Sequence, residues 1–192
     1  FDEVVTALRA EGLDFLAHCA NGGGVLSLGK VRGMELARPG LALYGYPPAH
    51  LSATLPLKAA LRLRARAAFI HEALSGERVS YGGLSTAARP TTIATVQLGY
   101  ADGYPRRASL KAQAAVCGEL RPVLGKVCMD QLMVDVTGLD VRSGDWLDFI
   151  DGQRLTLSQL AQWSDMSEYE LLTRLGSRVE RLRDDSDWDT EG

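Results

Sequence analysis

The sequence predicts a mainly β protein: an antiparallel β-barrel or sandwich-like domain with short helices, preceded by a short α/β segment. Three observations carry this. Residues 57–69 alternate apolar and basic, with Leu57, Ala59, Leu61, Leu63, Ala65, Ala67 and Phe69 against Lys58, Arg62, Arg64 and Arg66, the period of two of a half-exposed strand. Short apolar runs separated by Gly-containing turns follow as far as residue 150, the grammar of a small antiparallel barrel or sandwich. Before residue 46 the pattern is different, with helical spacing and apolar runs in alternation.

In order, Val4, Val5, Leu8 and Leu13 recur at helical spacing, and Gly12 stands as a stop signal. Phe15–Ala20 reads as a buried parallel strand running into the loop Asn21-Gly22-Gly23-Gly24, and Leu41–Tyr44 as a second strand. Two strands cannot close a barrel, so residues 1–45 read as a piece of something larger. The chain opens on Phe1 rather than Met, which leaves room for an upstream segment. Tyr46-Pro47-Pro48 breaks the pattern, and 46–56 reads as a linker. Further strands are expected over Thr91–Leu98, Ala114–Cys117, Val123–Val127, Leu132–Val136 and Trp146–Ile150. Gly76-Glu77, Gly118-Glu119 and Ser143-Gly144-Asp145 supply turns. Helix returns after 155: Leu157, Leu160 and Ala161 form one stripe, and Ser167 with Glu170 opens a second helix that Gly176 ends. Ser177–Leu182 reads as a last strand, and the acidic tail 184–192 as frayed. The two expected domains are therefore 1–45 and 57–183.

Composition excludes several classes of function. The 192 residues are 46% hydrophobic and 23% charged, with 21 Lys+Arg against 24 Asp+Glu, which is globular rather than disordered. A net charge of −3 and the lack of any long basic run offer nothing to nucleic acid. No apolar run approaches the ~20 residues that cross a bilayer. Cys19, Cys117 and Cys128 are odd in number and lack metal spacing, which suggests reduced thiols in a cytoplasmic protein and no metal site.

Single residues give weak signals. Arg38, between two apolar runs, reads as a surface residue opening a strand or as a cation aimed into a pocket. The three glycines 22–24 are a flexible turn or a backbone cradle for phosphate. Tyr81 and Tyr100, each flanked by glycine, read as strand-end packing residues, Met129 as core, and Tyr169 as a helix-surface residue.

Six blocks in order change that reading. They are His18-Cys19-Ala20-Asn21, Arg38-Pro39-Gly40-Leu41-Ala42-Leu43-Tyr44-Gly45, Val79-Ser80-Tyr81-Gly82, Gly99-Tyr100-Ala101-Asp102-Gly103, Gly125-Lys126-Val127-Cys128-Met129-Asp130, and Glu168-Tyr169-Glu170 with Ser177-Arg178-Val179 behind it. Together they make the sequence resemble the alanine racemase family of pyridoxal 5′-phosphate (PLP) enzymes, and the resemblance spans nearly the whole chain but only the C-terminal half of the family's architecture. It implies that residues 1–45 end a PLP-binding α/β barrel of TIM type and that 57–183 are the family's β domain. It implies conversion of L- to D-alanine and back, for D-alanine supply to peptidoglycan, in a cytoplasmic homodimer whose subunits share each active site.

The resemblance also gives each residue a task. Tyr81 matches one of two catalytic bases and reaches into the partner subunit's site, because racemisation needs a proton removed on one face and delivered on the other. A phenol working as a base near neutral pH needs cationic neighbours. Arg38 matches the arginine on the pyridine nitrogen of PLP, which it keeps unprotonated and so a weaker electron sink. His18 matches the histidine beside that arginine. Gly40 and Leu41 match backbone N–H donors to the phosphate, and Tyr169 a hydroxyl donor to it. Tyr100 and Met129 match residues of the substrate entrance and carboxylate site, and Asp130 a support for that loop. Two departures stand out. Gly22 replaces a phosphate-binding serine, a difference of ~1 kcal/mol on ordinary hydrogen-bond values. None of Lys30, Lys58, Lys111 and Lys126 lies in the motif of the lysine that holds PLP as a Schiff base, so the chain alone is expected to be inactive, that lysine falling in an N-terminal segment. A related racemase of serine or another small amino acid, and a non-catalytic β-domain binding or dimerisation module, are the alternatives. A decarboxylase of similar architecture has no need for the Tyr81 base.

Overall fold

A computed structural model describes residues 1–28, 34–47 and 57–183. The chain divides into two compact units, Phe1–Leu61 and Arg62–Gly192.

In the first unit, α1 spans Asp2–Ala10, with Asp2 and Glu3 in its first turn and Arg9 in its last, as the helix dipole favours. Gly12 follows at φ +83°. The apolar stripe is only partly used: Val5 is buried, Val4 and Leu8 are exposed. The strand expected over Phe15–Ala20 is absent. Its residues form no regular element, only Ala17 and Ala20 are buried, and the segment finds backbone partners at isolated points. The Ala17 carbonyl accepts from Glu35 N (2.8 Å), its N–H donates to the Glu35 carboxylate (2.9 Å), and Asn21 makes a single parallel bridge to Arg38. The backbone donor from Ala17, set against burial and aided by the Arg9 charge, holds the Glu35 carboxyl below its usual range.

The glycine loop is instead the start of a helix. α2 spans Gly22–Leu28, because Asn21 caps it: its side-chain oxygen accepts from Gly24 N (3.0 Å). The strand expected over Leu41–Tyr44 is a 3₁₀ turn, Gly40–Tyr44. Pro39 presets a helical φ of −66° and Gly45 closes the turn at φ +79°. Of the expected linker 46–56, residues 48–56 lie outside the described residues, as does the tail 184–192, and Tyr46 is buried.

The second unit is a closed antiparallel barrel. Its strands are β1 (Leu63–Ala73), β4 (Thr91–Val96), β5 (Gln113–Val116), β6 (Glu119–Leu124), β7 (Leu132–Asp135) and β8 (Trp146–Ile150), arranged in the order β1-β4-β7-β6-β5-β8. A small two-stranded sheet, β2 (Arg78–Val79) with β3 (Ser85–Thr86), interrupts the run. Closure depends on β1, whose first half pairs β8 and whose second half pairs β4. A β-bulge between Ala67 and Phe69 lets one strand serve both neighbours, and Ser143 Oγ donates to the bulged Ala68 carbonyl (2.8 Å). The alternation read from the sequence therefore breaks there, and Phe69 is exposed rather than inward, stacked on His71. β1 begins at Leu63 rather than 57. β6 begins four residues before the expected Val123, because Cys117 (φ +48°) and Gly118 (φ +81°) make a tight turn from β5.

The barrel strands bury Ile93, Ala94, Val96, Leu132, Val134, Leu147, Phe149 and Ile150 on their two faces, and each large aliphatic or aromatic chain among them is worth ~1.5–3 kcal/mol on leaving water. α3 (Leu157–Ser164) buries Leu157, Leu160 and Ala161 and starts with a reciprocal Thr156–Gln159 capping box. α4 (Glu168–Arg174) is capped by Ser167 Oγ, which accepts from Glu170 N (3.2 Å). The last expected strand, Ser177–Leu182, is turn and coil. Its nearby carbonyls are taken by a side chain, with Arg181 donating to Leu175 O (2.8 Å) and Gly176 O. Among the described residues no helix is long and apolar enough to cross a membrane.

Candidate active site

Three loops of the second unit meet at a cleft of about 650 Å³ lined by Tyr81, Tyr100, Arg106, Lys126, Met129 and Gln131, among others. Tyr81 opens the turn after β2, Tyr100 the turn after β4, and residues 126–131 join β6 to β7. Tyr81 is 72% exposed.

The loops are interlocked. Tyr100 N donates to Cys128 O (3.0 Å) and Ala101 N to Met129 O (2.9 Å). Gly99 has no room for a side chain, since a Cβ would strike the Met129 carbonyl. Asp102 is buried and accepts from Gly99 N (2.8 Å). Arg178 then ties the two loops, reaching Asp130 (2.7 Å) and Asp102 (3.2 Å). The hydrogen bond to Asp130 and the charge of Asp102 hold the Arg178 guanidinium above its ordinary pKa. Gly103 lies against the Arg174 carbonyl, so the end of α4 braces the same loop.

The turn that carries Tyr81 is anchored by its predecessor. Val79 is buried with Ala73, Ala87 and Ile93. Ser80 has φ 66°, ψ 175°, a backbone region that is nearly glycine-only and costs of order 1–3 kcal/mol. Its hydroxyl donates to Lys126 O (2.9 Å) and accepts from Lys126 N (3.1 Å). The Lys126 ammonium lies against Gly82, next to Tyr81. Lys126 and Arg106 thus bring two cations to a tyrosine-lined cleft. Neither stands out by spacing; the signal available was that Lys126 lies inside the methionine-bearing block and Arg106 three residues past the Tyr100 block.

The first unit gathers a second set. Arg38 Nη1 meets His18 Nδ1 (2.6 Å), and Nη2 donates to Cys19 O (3.2 Å). A guanidinium only donates, so His18 Nδ1 accepts and its proton sits on Nε2. Gly22 is buried at the start of α2. Gly40 (φ +58°) and buried Leu41 form the 3₁₀ turn two residues past Arg38. The structure therefore brings Tyr81, Tyr100 and Met129 together, and His18 with Arg38. Tyr169 lies on α4, half exposed, outside the cleft lining. Among the described residues no group of three or more His, Cys, Asp or Glu side chains gathers as metal ligands.

Residues 60–183 match the family model of the alanine racemase C-terminal domain. The chain belongs to the alanine racemase family. The alanine racemase of Deinococcus deserti is 58% identical over 182 residues, which are 95% of this chain and 51% of that protein. Among solved structures, the alanine racemase of Streptomyces coelicolor A3(2) superposes with a TM-score of 0.83 at 34% identity, covering 94% of this chain and 49% of that one. The Bartonella henselae alanine racemase with covalently bound pyridoxal phosphate does so with a TM-score of 0.77 at 34% identity, covering 94% and 51%. The chain spans about half the length of the racemases it matches.

Proposed function

We propose that the chain is the C-terminal part of a cytoplasmic alanine racemase that interconverts L- and D-alanine and supplies D-alanine for peptidoglycan. The observation that carries this is the cleft in which Tyr81 stands with Tyr100, Met129, Lys126 and Arg106. A two-base racemisation needs an acid–base group presented in the open beside cationic charge, and a packing tyrosine would be buried instead.

Tyr81 takes a proton from, or returns it to, one face of the alanine Cα. Lys126 and Arg106 bring positive charge to the cleft that attracts the alanine carboxylate. Tyr100 and Met129 line the approach, and Asp130, fixed by Arg178, holds the Met129 loop. In a homodimer these residues serve the site of the second subunit.

The residues of the first unit suit pyridoxal 5′-phosphate. Arg38 spends two donors on His18 and Cys19, and a guanidinium has five N–H groups, so donors remain for a ring nitrogen. When bound, the cofactor supplies a conjugated ring that takes up charge as the Cα–H bond opens. Arg38, always protonated, would keep that ring nitrogen an acceptor and limit the charge it takes. The backbone N–H groups of Gly40 and Leu41 would hold the phosphate, with Gly22 contributing a backbone N–H beside them.

The test is Tyr81→Phe in the protein that carries this chain, expressed at the length of its relatives. The ring and its packing stay; the proton acceptor goes. Melting and cofactor absorbance should be unchanged, and racemisation should fall roughly 10²–10⁴-fold. Exchange of the Cα proton in D₂O should suffer more from L-alanine than from D-alanine. Near-parental activity would remove Tyr81 as a base.

A further inference from the structure

We infer that Ser80 is a positioning residue: its hydroxyl clamps a strained turn to the backbone of Lys126 and so aims Tyr81 into the cleft. The inference rests on the racemase reading for its kinetic consequence and on geometry alone for the clamp.

The need for a clamp comes from exposure. Tyr81 is 72% exposed, so packing does little to orient it, and its direction is set by the backbone that presents it. That backbone is unusual at one residue. Ser80 sits at φ 66°, ψ 175°, a conformation glycine adopts freely and serine does not. If only the turn mattered, glycine would serve better. What serine adds is a hydroxyl with two partners on one residue, donating to Lys126 O (2.9 Å) and accepting from Lys126 N (3.1 Å). One side chain thus acts as a strand neighbour would, satisfying both backbone groups of Lys126.

The two segments also fit sterically. Gly125 is at φ +66°, and a Cβ there would collide with Cβ of Ser80. Glycine at 125 makes the space that Ser80 fills. Upstream, Val79 is locked in the core; downstream, Gly83 N donates to Ser80 O (3.2 Å), closing the turn around Tyr81. The chain is therefore fixed on both sides of Ser80, and Tyr81 projects from the turn that Ser80 ties to both backbone groups of Lys126. The same clamp sets the Lys126 backbone, and its ammonium lies over Gly82. Ser80 consequently sets base and neighbouring cation relative to each other. A displacement of about 1 Å in such a pair can cost on the order of 10²-fold in rate.

Two variants separate strain from clamp. Ser80→Gly relieves the backbone strain and removes the hydroxyl; Ser80→Ala keeps the strain and removes the hydroxyl. Each is made in the relative-length protein with 3-fluorotyrosine placed at position 81, and read by ¹⁹F NMR, melting and kinetics. The parent should show one narrow resonance. Both variants should show a shifted and broadened resonance, or several. Ser80→Gly should melt within a few degrees of the parent, since strain relief offsets the lost bonds, yet its kcat should fall roughly 10–100-fold with KM changed less than about twofold. If Ser80→Ala fails to fold, Ser80→Gly alone decides. An unchanged resonance and unchanged kcat in Ser80→Gly would overturn the clamp. Failure of the racemase reading is distinguishable: the parent itself would then not racemise alanine, while the ¹⁹F line of the Ser80 variants would still report whether the turn is held.

Discussion

Replacing Gly99 by alanine tests whether the Tyr100 and Met129 loops are held as one piece. Gly99 is extended, at φ −149°, ψ −170°, so alanine brings no backbone strain. It brings volume. The added Cβ would meet the carbonyl of Met129 and lie 2.6 Å from Asp130 N, atoms of backbone that cannot swing aside. Forcing a methyl into such a contact costs about 1–3 kcal/mol. The alternative is that the loops part, losing the Tyr100 N–Cys128 O and Ala101 N–Met129 O bonds at about 1 kcal/mol each, more where buried donors find no water. The two routes together bracket a loss of about 1–4 kcal/mol. For a chain of 192 residues, at about 2–4 °C per kcal/mol, melting should fall by roughly 3–15 °C. Gly118→Ala is the control. That glycine has φ +81° and open space around it, so only the left-handed backbone, about 1–2 kcal/mol, is at stake. Thermal melting by circular dichroism with amide hydrogen exchange reads both. Protection at Tyr100 and Ala101 should collapse in Gly99→Ala and survive in Gly118→Ala. A Gly99→Ala chain that melts within about 2 °C of the parent and keeps those amides protected would refute the interlocking argument.

Two further outcomes follow from buried polar groups. Tyr104 is fully buried beside a small apolar cavity of about 10 Å³; its hydroxyl has no hydrogen-bond partner among the described residues, and burial pushes the phenol well above its ordinary range. Tyr104→Phe should therefore leave urea stability unchanged or raise it by up to about 1–2 kcal/mol, and a loss greater than about 1 kcal/mol would mean that the hydroxyl is bonded. At the junction of β8 and α3, burial opposes ionisation of Asp151, yet N–H donors from Leu155, Gln153 and Arg154 and the Arg154 charge hold its carboxyl below the usual value. A depressed carboxyl stabilises the fold above its unfolded pKa, ~3.9, and loses that contribution as pH falls through the folded value. The stability gap between parent and Asp151→Asn in urea should thus be full at pH 7 and shrink below about pH 4; a gap independent of pH would contradict the assignment.

The barrel was legible because its evidence is local. Short apolar runs between glycine turns marked β4, β7 and β8 nearly to the residue, and the capping residue Ser167 sits where side chains alone say a helix begins. What failed was non-local. No pattern in 57–69 announces that β1 must bend between two neighbours, and the bulge that does this reverses Phe69. The apolar runs 15–20 and 41–44 have strand composition, but a parallel strand exists only through its ladder. Among the described residues the first finds one bridge, Asn21 with Arg38, and the second is overruled by Pro39 and Gly45. The glycines 22–24 looked like a loop, since glycine disfavours helix by about 1 kcal/mol each; the Asn21 cap and the buried Gly22 outweigh that preference.

The site divides along a similar line. Tyr81, Tyr100, Arg38 and His18 gave weak signals one at a time and were singled out by the ordered blocks that carry them and the family those blocks resemble. The residues that place them have no chemical signature. Ser80 is an ordinary serine until its φ of 66° and its two bonds to Lys126 are seen. Asp102 and Arg178 are common charges until one is found buried and the other bridging it to Asp130. Gly99 is one of 20 glycines, distinguished only by the carbonyl that occupies its missing side chain. Each of these acts by joining segments some 25 to 80 residues apart, 80 to 126, 99 to 129 and 102 to 178. A candidate reactive group is marked in the sequence by the short block around it, which is local and can be read in order. A positioning group is defined by what it touches, and only the folded chain supplies that.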